Sequence, residues 1–546
     1  MQNFLHRARA AIQPPSSSFP AAAGAQQTLK AEDTPSTIQP PTLSDLFRYR
    51  YHHGTNVGSI FVLEQWLFGS MFVEGAAGGS EFDAVNASLN RNGLDATKQK
   101  WEQHWASAVT DDDWAWLVKT ARCTTIRLPI GYFTLGPAYC VGTPFAVSNT
   151  SRSASTPAQV YEGAWAAVTR LVAAARARGI GVLLDLHALP GGANADAHSG
   201  TSSGHVGLWT DRSARELATR CAVFVAQEAR QMENVVGVQL CNEAVYGASG
   251  MYDWYDEVLA ALSTIDPTMP VYISDAWDLG AALRYSTGRN GPWSHTNPVV
   301  IDTHKYYTFA DADKQQAPQQ IIGRVRGELH ELGGHEGNVF DHGAAQVVVG
   351  EYSCVLDEQT WSTIDGGQRA ALIQHFGRAQ SQRWREKAAG SYFWTLKMNW
   401  MDGGEWGFVA QTKSGAITAP PSLLLPSGAL ATKLSTARSQ AVALKRSAVS
   451  SHAQYWTSTA PNANFEHWRF EQGWDVGFAD AMAFFAMRVE HTDAVGGAGD
   501  GADTIGLLDL WVRRRIQDSG MGGALVWEFE QGLRQGVAEF YTVVGA

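Results

Sequence analysis

Cysteine is scarce and unpatterned in this chain. The 5 cysteines, Cys123, Cys140, Cys221, Cys241 and Cys354, form no C-x-x-C pair. An odd, scattered set excludes a disulfide framework and a paired-thiol zinc or redox motif, and reads as reduced thiols in a core. Long apolar runs are missing too. None reaches the roughly 20 residues that a bilayer-spanning helix needs, so no membrane span is expected. Positive charge is short: 42 Lys and Arg stand against 53 Asp and Glu, a net charge of −11. With no cationic excess to displace counterions from phosphates, nucleic acid is not an expected partner. No G-x-G-x-x-G follows a strand and opens a helix, so a dinucleotide fold has no support. The tight H-x-x-x-H and H-x-H spacings of local metal sites are absent as well. No metal and no cofactor are expected.

What is present is a large core. Hydrophobic residues make up 45% of the chain and charged residues 17%, the balance of a globular protein. Residues 1–43 are rich in Pro, Ser, Ala and Gln and read as a disordered tail. His6, Arg7 and Arg9 interrupt the apolar stretch that a secretory signal would need. The expected location is therefore cytoplasmic, with secretion by another route left open. Two N-x-S/T triplets, at Asn86 and Asn149, matter only in a secreted chain.

From residue 44 the pattern alternates. Short β-branched or apolar runs lie at 54–62, 124–129, 180–186, 235–240, 271–274, 299–301, 346–349 and 391–395. Helical patterns such as 164–178 and 215–231 separate most of them, with apolar residues at three- and four-residue spacing. Strands apolar on both faces, joined by amphipathic helices, imply a parallel sheet. Eight such units favour a closed (β/α)8 TIM barrel over an open doubly wound sheet, although periodicity alone does not establish closure. The barrel is assigned to residues 44–418. Ala419-Pro420-Pro421 then breaks the chain, and 419–546 reads as a helical extension packed on the barrel, because its aromatics need an apolar partner. Helical stretches are expected there at 428–449 and 505–516, with aromatic-rich segments at 465–470 and 479–489 and a Gly-rich link at 495–502.

In such a barrel the functional groups stand where strands end. The second strand carries Arg127, the third ends Asp185-Leu186-His187, and the fourth ends Cys241-Asn242-Glu243. The sixth ends Asp302-Thr303-His304-Lys305-Tyr306, the seventh Gly350-Glu351, and the eighth carries Phe393-Trp394. So many polar groups closing apolar strands would be costly in a purely structural core; converging on one mouth, they make a polar cleft. Two glutamates at strand ends four and seven suit glycoside hydrolysis, in which one carboxyl protonates the leaving oxygen and the other attacks or activates water. A separation of about 5–5.5 Å would make the reaction retaining. Asn242 can bond a sugar 2-hydroxyl, Arg127 and Tyr306 can orient the nucleophile, and Trp394 offers a flat face to a pyranose ring.

These strings, with Ile126-Arg127-Leu128-Pro129-Ile130-Gly131-Tyr132, Leu184-Asp185-Leu186-His187, Asn242-Glu243, His304-Lys305-Tyr306, Gly350-Glu351 and Phe393-Trp394 in order, resemble glycoside hydrolase family 5. Within it the chain is similar to the fungal exo-β-1,3-glucanases, whose opening motif is echoed over 54–66 and whose later motifs are echoed by Ser274-Asp275-Ala276-Trp277 and the run 397–408. The resemblance covers about 46–412. It implies a TIM barrel in which Glu243 is the acid/base and Glu351 the nucleophile. Arg127, His187, Asn242, His304, Tyr306 and Trp394 would hold the first sugar, Glu64 its hydroxyls, and Phe309 a second sugar at the entrance. The implied partner is a β-glucan or other β-glucoside; the oligomeric state is open. Ala244 replaces the family's usual proline after the acid/base, and Ser59, Phe61 and Gln65 depart from the opening motif, changes that bear on subsite shape. An intracellular β-glucosidase acting on a glycolipid and a silent glucan-binding protein are the alternatives, although the intact glutamate pair argues against silence. His198 and His205 fit the mouth or solvent equally well, and Trp406 fits a sugar platform or core. Trp101, Trp105, Trp114, Trp116, Trp456, Trp468, Trp474 and Trp527 are expected to pack.

Overall fold

Eight parallel strands hydrogen-bond side by side in sequence order, and the first pairs with the last to close a barrel. The computed structural model describes residues 38–147, 155–491 and 500–546. Its strands are β1 (His52–Asn56), β2 (Thr125–Gly131), β3 (Gly181–Ala188), β4 (Val235–Gln239), β5 (Val271–Ser274), β6 (Val299–Tyr307), β7 (Val347–Leu356) and β8 (Gly390–Phe393). The helices Ala164–Arg176 and Arg212–Ala229 return the chain to the sheet, burying Val168, Leu171, Val172 and Ala175 on one and Leu217, Cys221 and Val225 on the other. Their three- and four-residue spacing gives each helix one apolar face. All five cysteines are buried and unpaired.

The first strand is not where the apolar run 54–62 predicts it. The run 54–62 contains only the end of β1; from Val57 the chain is a loop. Val57, Ile60, Phe61, Val62 and Leu63 are each at most 1% exposed, so their apolar character reflects loop burial rather than pleating. Leu63 N donates to Glu81 Oε2 at 2.7 Å and Glu64 N to Ser59 Oγ at 2.8 Å, which fixes this loop over the barrel mouth. Conversely, β6 and β7 run well past the apolar segments 299–301 and 346–349, because their outer halves carry the polar residues of the site. Of the expected tail, residues 1–37 lie outside the described residues; the helix Leu43–Tyr49 starts within its last position, capped by Thr42. Asn149 and most of the expected link 495–502 also lie outside them.

Among the described residues, four α-helices follow the barrel: α1 (Ser427–Thr459), α2 (His467–Glu490), α3 (Leu508–Ser519) and α4 (Val526–Val544). α1 is longer than the expected helix 428–449 and α3 is offset from 505–516, while α2 takes up segments expected only to be aromatic-rich and α4 has no counterpart among the expected elements. Their core is continuous with the lower barrel. Phe484, Phe485, Trp511 and Phe540 share one buried cluster with Leu183, Tyr272, Val300, Val348 and Tyr392. Leu183, Val300 and Val348 precede Asp185, Asp302 and Gly350 by two residues and so share their face of the sheet. The helix Leu43–Tyr49, whose Leu46, Phe47 and Tyr49 join the same cluster, and the extension together close the end where strands begin and leave the opposite mouth open. Among the described residues no helix is long and apolar enough to cross a membrane.

Candidate active site

The mouth is organised around Arg127, which is wholly buried on β2. Its Nε donates to Gln239 Oε1 at 2.9 Å, and Nη1 donates to Asn56 Oδ1 and to Glu351 Oε1, each at 2.9 Å. Nη2 donates to Asn242 Oδ1 at 2.7 Å and lies 3.0 Å from Asp185 Oδ2. A guanidinium only donates, so this contact fixes the Asn242 amide with its nitrogen turned toward His187 Nε2, 3.4 Å away. His187 Nδ1 is 2.7 Å from Asp185 Oδ2 and serves as the donor there, leaving Nε2 as acceptor. Burial, with the charges of His198 and Arg127, holds this ring well below its ordinary pKa and thus neutral. Its plane lies almost parallel to Trp394, at 9° and 5.8 Å between centroids.

Glu351 accepts at both oxygens, from Arg127 at Oε1 and from the Tyr306 hydroxyl at Oε2, 2.8 Å away. Burial lifts its carboxyl above the ordinary value against the charges of His304 and Arg127. Glu243 sits just past β4 with φ at 44°, a left-handed turn that is uncommon outside glycine. His304 links the two glutamates. Its Nδ1 is 2.7 Å from Glu243 Oε1 and 3.5 Å from Glu351 Oε2, while Nε2 is 3.2 Å from Asp302 Oδ2. A ring with a carboxylate at each nitrogen is a donor at both ends, hence an imidazolium. Burial alone would lower its pKa, but the Glu351 and Asp302 charges and its two hydrogen bonds carry it well above the ordinary value. Burial likewise raises Glu243, yet the His304 bond and charge, with the His198 and His187 charges, hold it down to about 2. One proton thus serves the Glu243–His304 pair, resting on the ring and one hydrogen bond from the carboxylate.

Glu64 reaches the same cleft from the β1 loop. Trp66 Nε1 donates to its Oε2 at 2.8 Å, and its Oε1 is buried without a hydrogen-bond partner among the described residues. Burial pushes its carboxyl up to about 7 against the His198 charge, and a group so placed can accept from, or donate to, a sugar hydroxyl. Phe309 stands at the rim, 64% exposed, beside Tyr306 and Trp406. Trp406 also meets Trp66, so it belongs to the cleft wall.

All ten residues singled out in sequence meet in this one mouth. Beneath them Asp185 and Asp302, expected among the polar strand ends, form the floor with Gln239, which was not singled out. Of the two histidines that fitted mouth or solvent equally, His198 comes within 3.4 Å of Glu243 Oε2 and His205 is exposed. Asp185 and Asp302 precede His187 and His304 by two residues, and that period places them on the same inward face. His198 lies in a Gly/Ser-rich loop that has no such signal. Of the tryptophans expected to pack, Trp468 is 42% exposed.

Two glutamates with different partners, joined by one histidine across the mouth of a barrel, suit cleavage of a glycosidic bond, which asks one carboxyl to deliver a proton and the other to carry a negative charge. Fold and site together define a glycoside hydrolase. Residues 86–398, more than half of the chain, match the cellulase family, glycosyl hydrolase family 5, and the chain belongs to that family. Residues 437–544 match a second family, the C-terminal domain of glucan 1,3-beta-glucosidase 3. An uncharacterised glycosyl hydrolase of Saccharomyces cerevisiae is 30% identical over 511 residues, spanning 91% of this chain and 92% of its own. Glucan 1,3-beta-glucosidase 3 of Schizosaccharomyces pombe is 28% identical over 491 residues, spanning 90% and 95%. A rutinosidase from Aspergillus niger shares the fold, with a TM-score of 0.50 and 17% identity over 68% of this chain and 99% of that one.

Proposed function

We propose that this enzyme is a retaining β-glucosidase acting from the end of β-1,3-glucan chains, with Glu243 as acid/base and Glu351 as nucleophile. The observation that carries the mechanism is distance: a carboxylate oxygen of Glu243 and one of Glu351 lie within 4.8 Å of each other. So close an approach of single oxygens suits the roughly 5–5.5 Å carboxyl pair of a retaining enzyme better than the roughly 6.5–9.5 Å pair that leaves room for a water in an inverting one. Glu351 attacks the anomeric carbon as Glu243 gives its proton to the departing glycosidic oxygen. Water then adds to the glycosyl-enzyme, losing its proton to Glu243 and releasing Glu351. Asn242, oriented by Arg127, is placed to bond the 2-hydroxyl, and Trp394 to face the ring.

The substrate assignment draws on the names of the relatives, two of which, from Schizosaccharomyces pombe and Aspergillus clavatus, are a glucan 1,3-beta-glucosidase and a probable one. End-on action is supported by enclosure, since the side chains of Glu351 and Glu243 are only 6% and 16% exposed. A second reading is favoured by the rim, where Trp66, Trp277, Phe309 and Trp400 are 42–64% exposed: a β-glucoside with a flat or apolar aglycone, such as a glycolipid. Hydrolysis of laminarin and laminari-oligosaccharides, following the anomer first released, separates these. Release of β-glucose supports the glucanase. Cleavage of an aryl β-glucoside without release from laminarin keeps the mechanism and moves the substrate to the second reading.

A further inference from the structure

Among the described residues, one place away from the barrel mouth gathers metal-ligating side chains from separate elements. His452 of α1, His467 at the start of α2 and Glu528 at the start of α4 meet around a single oxygen. Glu528 Oε2 lies 3.1 Å from His452 Nε2 and 3.1 Å from His467 Nδ1. The other oxygen, Oε1, accepts from the Glu466 backbone N–H at 2.7 Å. The three donor atoms all lie within 4.8 Å of one another. We propose that these side chains bind a zinc ion that ties the far end of α1 to α2 and α4.

Two imidazole nitrogens and one carboxylate oxygen make a set that zinc takes, with water in its fourth position. Nitrogen-rich donors favour it over magnesium or calcium, which prefer oxygen. Tetrahedral bonds of about 2.0–2.1 Å place donors roughly 3.3–3.4 Å apart, so the two 3.1 Å edges need open only slightly. The surroundings already hold the donors in place. The Glu466 N–H fixes the carboxylate, His452 stacks on Phe470 at 4.0 Å and 16°, and His467 stacks on Phe465 at 5.5 Å and 12°. Such outer partners orient ligands and stiffen a site. The side chain of His467 is 28% exposed while those of His452 and Glu528 are 4% and 0% exposed, which leaves one side open to a water ligand. Binding requires each ring to present a bare nitrogen to the ion, with its N–H on the nitrogen turned away from Glu528.

The helix that gains is the one least well buried. Of the 33 residues of α1, its buried set is Leu430, Leu434, Ala437, Ala448 and His452. Past Ala448, His452 is thus the only buried side chain on the last turns.

The full-length protein, stripped with a chelator and titrated with zinc chloride, should bind one equivalent at this site, melt several degrees higher, and show the visible absorption of a tetrahedral site when cobalt replaces zinc. His467→Asn, at a half-buried helix start, should lose that equivalent and the melting shift while keeping its far-ultraviolet spectrum and activity. Glu243, His304 and Glu351 also bring donor atoms within 4.8 Å of one another, so Glu351→Gln is titrated in parallel and should still bind. Absence of binding at micromolar zinc overturns the assignment. So does an undiminished equivalent in His467→Asn, or an equivalent lost only in Glu351→Gln, which would put the metal in the barrel mouth.

Discussion

A single buried guanidinium does much of the positioning at the scale of residues: Arg127 fixes Glu351, orients Asn242 and neutralises the acids beneath them. Glu243 is governed instead by histidines, and its chemistry can be separated from that of Glu351. In Glu243→Ala, an aryl β-glucoside with a good leaving group should still glycosylate Glu351, because that departure needs little acid help. Hydrolysis of the intermediate should slow, and azide should restore turnover as β-glucosyl azide; an α product would indicate inversion. His198 gives a second handle. Its bond to Asp196 and the charges of Glu243 and Glu64 outweigh burial and push its pKa up to about 9, so it faces Glu243 as a cation near neutral pH. A cation at that range favours the ionised carboxylate. The acid must hold its proton until transfer, so the alkaline limb of kcat/KM follows proton loss from the Glu243–His304 pair. Removing the cation raises that pair's affinity for the proton. In His198→Asn the alkaline limb should therefore move to higher pH, by about 1 unit; a limb that stays or moves down would count against this electrostatic role. Most of the ten site residues were legible in sequence because polar groups stand out at the ends of apolar strands, whereas Glu64 and Phe309 came only through the family resemblance. His198 could not be told from His205 by sequence, and nothing there pointed to His452–His467–Glu528, whose histidines lie 76 and 61 residues from the glutamate along the chain.

Among the elements, α2 and α4 pack unusually closely through glycine. Gly473 and Gly477 on α2 face Gly532 and Gly536 on α4, and a Cβ on any of them would fall 2.0–2.3 Å from a backbone oxygen of the other helix. The helices touch main chain to main chain, so they must separate to admit even a methyl group. Glycine ordinarily costs a helix about 0.5–1 kcal/mol relative to alanine; here that order should reverse. Gly473→Ala or Gly532→Ala should lower the denaturant midpoint by an amount worth about 1–3 kcal/mol or more, as overpacking does. Gly428→Ala, in the first turn of α1 with nothing within 4 Å of its Cβ, should be neutral or stabilising. Equal effects at the three positions would mean that propensity, not contact, decides. The same glycines explain why α4 escaped the sequence reading. Val526, Phe529, Leu533, Val537, Phe540 and Val544 have helical spacing, but Gly532 and Gly536 weaken the pattern and the buried Glu528, Glu530 and Arg534 blur its apolar face. The 54–62 run failed in the opposite sense, since apolar residues in a buried loop imitate a strand.

For the whole molecule, the question is whether the barrel stands without its C-terminal helices. Its lower interior argues that it does not. Leu183, Tyr272, Val300, Val348 and Tyr392 share one buried cluster with the extension and with Leu46, Phe47 and Tyr49 of the helix Leu43–Tyr49, and loss of the extension would open that cluster at the bottom of the barrel. Charges cross the boundary as well. Arg50, fully buried beside β1, donates to Gly179 O at 2.9 Å and lies 3.6 Å from Asp503, which is paired with Arg488 at 2.8 Å. Glu530 of α4 accepts from the backbone of Val339 and Phe340, both at 2.8 Å. Removing one side of a buried ion pair costs about 3–5 kcal/mol by itself, against a total stability that is commonly about 5–15 kcal/mol. Lost ion pairing, lost caps and exposed apolar surface together exceed that margin. A chain ending at Gly428 should therefore aggregate or lose its cooperative melting transition, even though every residue of the mouth is retained. Co-expression of 429–546 as a separate chain should restore some soluble, active complex, because the contacts to be remade are extensive and apolar. A truncated chain that is soluble, melts cooperatively and turns over an aryl β-glucoside at the full-length rate would show that the barrel closes its own floor and that the extension serves some other purpose.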